Sequence, residues 1–146
     1  MISRDALYSF IESLITDAAP DTPLEDAESF RSLRGSVNEA VKVVRVDCFS
    51  GIFNVGEAKL SERDVDFVIE FFVTPSEATE DADALAQLDA AKDLSFEMAR
   101  TVFNEMATKQ GWATICDAFG NEFDTATANL GGKERGATYF YGKVNG

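Results

Sequence analysis

The sequence predicts an α+β fold: antiparallel β-sheet with a long central helix packed on one face and a further helix at the N-terminus. Three observations point there. Leu85, Leu88, Phe96, Ala99, Val102, Phe103 and Met106 recur at steps of three and four, the spacing of one helix face. Val65 to Val73 alternates instead with period two and is rich in β-branched and aromatic residues, as strands are. Strand-like segments also lie in groups on either side of the helical stretch, rather than alternating with helices. Such segregation favours an antiparallel sheet over βαβ units. The chain has 146 residues and is 45 % hydrophobic, which suits a single domain over 1–146 with a real core.

In chain order, Ser3 is placed to cap a first helix that runs to about Thr16, with Leu7, Phe10, Ile11, Leu14 and Ile15 on its apolar face. Ala18 to Pro23 contains two prolines and an aspartate and breaks it. A short helical turn is expected from Leu24 to Leu33, ending at Gly35-Ser36. From Val41 to Phe49 the texture is β. Val44, Val46 and Cys48 share one side, and Val43, Arg45 and Asp47 share the other.

Val65 to Val73 is the strongest strand. Val65, Phe67, Ile69, Phe71 and Val73 are expected to face the core, and Asp66, Val68, Glu70 and Phe72 to face solvent or a neighbouring subunit. Pro75 stops it. The stretch from Ser76 to Lys109 is the long helix. Thr79 or Asp81 can cap it, and Glu80, Asp81 and Asp83 sit near the positive end of its dipole. Gly111 is placed to end it. Leu85, Leu88, Phe96, Val102 and Phe103 are expected to bury against Phe67, Ile69 and Phe71. Trp112 to Phe119 reads as a strand, Gly120-Asn121 as a turn and Glu122 to Leu130 as a second strand. Gly131 to Gly136 reads as a loop with an exposed Lys133-Glu134-Arg135 tip, and Ala137 to Val144 as a last, aromatic strand.

Charge and composition restrict function. Net charge is −13, which disfavours broad binding to a phosphate backbone, because that needs lysine and arginine. There is no histidine, so Ser-His-Asp and Cys-His nucleophiles and histidine metal sites are excluded. Cys48 and Cys116 stand alone and are expected to be reduced core residues. No 18-residue apolar run and no basic-then-apolar leader are present, so neither a membrane span nor an exported precursor is expected.

Four clusters remain as candidate sites. Asp89, Asp93 and Glu97 stack at i,i+4 spacing, which costs a few tenths of a kcal/mol per like-charge contact. Together with Glu77, Glu80, Asp81 and Asp83 they are either a solvated flank, with Lys92 and Arg100 as partners, or an acidic surface kept for a purpose. The glycine-rich loop at 131–136 lacks phosphate-loop spacing and reads as a hairpin loop, with a tip suited to docking. Asp64, Asp66 and Glu70 lack cation-ligand spacing. Tyr139 and Tyr141 point the same way on the last strand and suit either a core or an interface. No catalytic, cofactor or metal residue is assigned.

The organisation resembles phage tail-terminator and tail-completion proteins. The resemblance rests on the N-terminal helix and on Val65-Asp66-Phe67-Val68-Ile69-Glu70-Phe71-Phe72-Val73-Thr74-Pro75. It also rests on the long helix with Arg100 and on the closing Gly136-Ala137-Thr138-Tyr139-Phe140-Tyr141-Gly142-Lys143-Val144-Asn145. The stretch from Ala18 to Leu33 fits that family less well. The resemblance implies a non-enzymatic ring subunit of the virion, often sixfold, at the head–tail junction or the end of the tail tube. Its partners would be its own copies, the tail tube and neck proteins, with DNA passing through without specific binding and no membrane involved. On that reading Glu77, Glu80, Asp81, Asp83, Asp89, Asp93 and Glu97 are candidates to line an acidic channel. Lys133, Arg135, Tyr139 and Tyr141 are candidates for subunit interfaces. Two other classes fit the residues: an acidic inhibitor that imitates DNA, and a small-ligand-binding α+β domain.

Overall fold

The structure is a computed structural model; it describes residues 4–31, 41–49, 65–77, 80–108, 116–118, 123–130 and 132–144. Its elements run α1 (Arg4–Ala18), β1 (Glu28–Arg31), β2 (Lys42–Phe49), β3 (Val65–Val73), α2 (Asp81–Thr108), β4 (Cys116–Ala118), β5 (Phe123–Leu130) and β6 (Lys133–Val144). The α+β class and the long helix across one sheet face are as expected. The strands form one six-stranded sheet in the order β1-β2-β3-β6-β4, with β5 also paired to β6. β2, β3, β6 and β5 are mutually antiparallel neighbours, whereas β1 runs parallel to β2. β6 is the centre of the sheet. One of its edges pairs with β3, the other with β5 and, further along, with β4.

The core lies between this sheet and the helices. From the sheet come Val44 and Val46, Ile69, Phe71 and Val73, and Phe140; from α1 come Tyr8, Ile11, Leu14 and Ile15. α2 contributes Ala91, Met98, Ala99, Val102 and Met106. β3 thus presents the alternate residues its pattern promised; the side chains of Val65 and Phe67 lie outside the described residues.

Three expectations need correction. The helical turn over 24–33 is instead a tight turn followed by β1. Asp21 (φ 59°) and Asp26 (φ 65°) both take left-handed backbone, and one such residue inside 24–33 ends any helix there. The segment then extends and pairs Glu28 to Arg31 with Val43 to Val46. Second, Leu85 is 63 % exposed. The α2 face that meets the sheet is centred on Ala91, Ser95, Met98 and Val102, roughly 75° around the helix from the face expected, at about 100° per residue. Leu88, Phe96 and Phe103 fall on its margin and are half-buried; Phe103 still packs on the core and meets Phe140 with ring centroids 5.8 Å apart. Third, the loop over 131–136 shrinks to a tight turn, because β5 ends at Leu130, opposite Lys133, where β6 begins. Gly132 supplies the positive φ that this turn needs (77°).

Gly136 explains how closely α2 sits. A Cβ built there would lie 2.4 Å from the Ala91 carbonyl carbon and 2.4 Å from the Lys92 nitrogen. The helix backbone therefore rests directly on β6 at that glycine. One turn along, Ser95 Oγ and Thr138 Oγ1 form a buried hydrogen bond of 2.7 Å, and Thr138 Oγ1 also meets Thr125 Oγ1 at 3.1 Å. Such buried hydroxyls need partners, and pairing them across the helix–sheet contact fixes its register.

Candidate functional site

The other sheet face, expected to meet solvent or a neighbouring subunit, is largely buried within the subunit. Val43, Phe72 and Ala137 are buried there, with Ala128 and Tyr139 packed against them, and Val68 is buried too. Arg45 and Glu70 are direct cross-strand partners. Arg45 Nε donates to Glu70 Oε1 at 2.8 Å and Nη2 to Oε2 at 3.0 Å, a bidentate fork. The guanidinium carbon lies 5.3 Å from the Phe72 ring centroid, and Tyr139 meets Phe72 edge-on at 6.2 Å. The sequence held a signal for this cluster: opposite charges stand on the same side of adjacent antiparallel strands. Glu70 is therefore engaged by Arg45; Asp64 and the side chain of Asp66, the other members of that carboxylate cluster, lie outside the described residues. Among the described residues no three His, Cys, Asp or Glu side chains are placed to hold a metal. The side chains of Cys48 and Cys116 are likewise not described.

The acidic candidates sort by helix geometry. Glu77, Glu80, Asp81 and Asp83 are exposed around the start of α2. Asp89, Asp93 and Glu97 share one face, centred almost diametrically opposite the core-facing one. Their cations are those anticipated. Lys92 Nζ lies 3.8 Å from Asp89 Oδ1, and Arg100 Nη2 lies 3.2 Å from Glu97 Oε2. Both are exposed i,i+3 pairs, worth little to stability.

The interface candidates are not brought together. Lys133 is exposed beside the β5–β6 turn, while Tyr139 is half-buried roughly 20 Å along the same strand. Arg135 is corrected from an exposed tip to a buried residue, 1 % exposed, because the strand starts before it and carries it onto the Phe72 side of the sheet, opposite Ala128. Tyr141 sits on β6 opposite Val68; its side chain is outside the described residues.

One shallow groove of about 140 Å³ lies between the start of β2, the end of β3 and α2, lined by Val41, Val73, Pro75, Gln87, Ala90 and Leu94 among others. No lining residue titrates, so it offers packing rather than acid–base chemistry. It lies beside Gly136, the last residue of the glycine-rich segment, because Val73 pairs with Gly136 and Ala91 rests on it.

Compared with known proteins, the chain matches no family model and no curated relative. Among the described residues no helix is long and apolar enough to cross a membrane.

Proposed function

We propose that the protein is a structural, non-catalytic subunit of a phage virion. In this reading it forms a ring, of six copies, at the head–tail junction or the end of the tail tube. The observation that carries the reading is the outward side of α2. It is a rigid helix about 42 Å long, and its exposed face presents Asp89, Asp93 and Glu97 after the exposed Asp81 and Asp83. DNA that must pass a ring is hindered by lysine–phosphate contacts, and a wall of carboxylates withholds them. The α+β architecture suits the resemblance drawn from the chain's order of elements.

A DNA-imitating inhibitor is the second reading. Carboxylates at i,i+4 rise by roughly 6 Å each, a ladder of anions along one line. Lys92 and Arg100 weigh against it, because they partly neutralise two of the three carboxylates, and an imitator needs its anions free for a basic groove.

Native mass spectrometry with negative-stain imaging separates the two. A closed ring, alone or on added tail tubes, supports the connector. A strictly monomeric chain absent from purified virions removes it. Replacing Asp89, Asp93 and Glu97 together by lysine tests the channel itself. Intact particles with slowed or salt-sensitive DNA ejection are expected. Normal ejection at every salt concentration would show that this face is away from the DNA.

A further inference from the structure

Among the described residues the sheet has two open ends. At one end is β1; at the other β5 pairs with β6 on one side only, and among the described residues nothing pairs with its outer edge. Natural edge strands are normally guarded by lysine, proline, a bulge or brevity. β5 has none of these. It is eight residues long, its register with β6 runs unbroken from Phe123 to Leu130, and Thr125-Ala126-Thr127-Ala128 carries no charge. Asp124, Thr125, Ala126, Thr127 and Asn129 are all exposed.

We infer that the outer edge of β5 is the joint between neighbouring copies of this chain, adding itself to β1 of the next subunit. The inference rests on the ring reading and supplies its contact. Two arguments select a second copy as the occupant. The first is charge. A surface with net charge −13 repels its own kind, and copies approach most easily where charge is absent. The Thr125-to-Ala128 stretch is such a place, and a basic partner would find nothing there to hold. The second is strand direction. β1 runs with β2, and each step from β2 to β3, β6 and β5 reverses direction. β5 is therefore antiparallel to β1. Rotation about an axis along the strands preserves direction, so the β5 of one subunit meets the next β1 antiparallel, the better-bonded of the two ladder types. A head-to-tail joint of this kind closes into a ring when its rotation closes. A register setting Arg31 opposite Asp124 puts Glu28 opposite Thr127, so no acidic residue faces another.

Two proline variants test the joint. Along an edge strand, alternate N–H groups point inward to the sheet and outward. Of Ala126→Pro and Thr127→Pro, one therefore breaks a β5–β6 bond and the other removes only an outward donor. Thermal melting identifies the second as the variant that keeps the wild-type midpoint. That variant is expected to lose at least tenfold in ring abundance by native mass spectrometry, and Ala126→Thr to retain rings. Hydrogen exchange at β5 is expected to slow at least tenfold in wild-type rings relative to the diluted subunit. Wild-type rings that persist with the stable proline variant, or β5 amides that exchange equally in ring and subunit, would overturn the joint and leave the ring reading standing. A wild-type chain that forms no ring, alone or on tail tubes, would remove both.

Discussion

Replacing Gly136 by alanine should loosen the contact on which the whole helix–sheet packing depends. The new methyl would lie 2.4 Å from the Ala91 carbonyl carbon, 2.4 Å from the Lys92 nitrogen and 2.6 Å from the Ala91 oxygen. All three are backbone atoms in the middle of α2, so no side chain can swing aside. The helix must retreat by roughly 1 Å to reach ordinary contact, an overpacking that costs about 1–3 kcal/mol. The same retreat stretches the buried Ser95–Thr138 bond from 2.7 Å to beyond hydrogen-bond length. Losing that bond adds about 0.5–1.5 kcal/mol, because Ser95 Oγ keeps its bond to the Lys92 carbonyl and Thr138 Oγ1 its contact with Thr125. Alanine's lower unfolded-state entropy returns about 0.4–1 kcal/mol. The net loss is about 1–4 kcal/mol, and at this chain length the melting midpoint should fall by at least about 2 °C. Urea unfolding followed by circular dichroism measures it, with the slope against denaturant unchanged. Gly132→Ala is the contrast: φ is 77° there, but nothing lies within 4 Å of the added methyl, so only backbone strain of about 1–2 kcal/mol applies. A Gly136→Ala protein that melts within 1 °C of wild type (about the scatter of such a measurement) would refute the close-packing argument.

The Ser95–Thr138 pair should be strongly non-additive: Ser95→Ala alone should cost about 1–3 kcal/mol, and adding Thr138→Val should cost much less than the sum of the two single changes. A double-mutant cycle in urea gives the coupling, and a coupling of zero would show that the bond does not hold the register. Phe103→Ala should cost about 2–4 kcal/mol through lost packing on Phe140, whereas Leu85→Ala should stay within about 0.5 kcal/mol because Leu85 is 63 % exposed. Equal effects at these two positions would contradict the observed rotation of α2.

What the sequence revealed depended on how local each cause was. β3 was legible to its end residues because period two is written in Val65 to Val73 itself, and Pro75 stops it. α1 and α2 were legible for the same reason at period 3.6. β1 was not, because its four residues carry no period and take strand form only through parallel pairing with β2. The orientation of α2 was misjudged because large residues such as Phe96 and Phe103 weigh most in any reading of apolar faces. The true contact is built from Ala91, Ser95 and Gly136, whose small size is what permits it. Arg135 was placed at a loop tip because glycines and charges suggest a loop; the turn in fact ends at Gly132. Asp81, Asp83, Asp89, Asp93 and Glu97 were placed on α2 correctly, whereas Glu77 and Glu80 precede it; how the acidic stripe sits relative to the core follows from the rotation, which no local pattern announces.

The position of β6 has a consequence for the order of events during synthesis. β2 and β3 are antiparallel neighbours in sequence and can pair as soon as both have been made. The other edge of β3, and the whole of β5, have β6 as their partner, and β6 is made after both. Until then α2 has only part of its seat, since Gly136, Thr138 and Phe140 all belong to β6. One open edge of β3 and an uncovered apolar face therefore persist while the residues between β3 and β6 are translated, a condition that favours aggregation of nascent chains. β5 and β6, joined by the tight turn at Gly132, can pair with each other as soon as both are made, so the sheet is completed by docking a hairpin on β3 rather than a single strand.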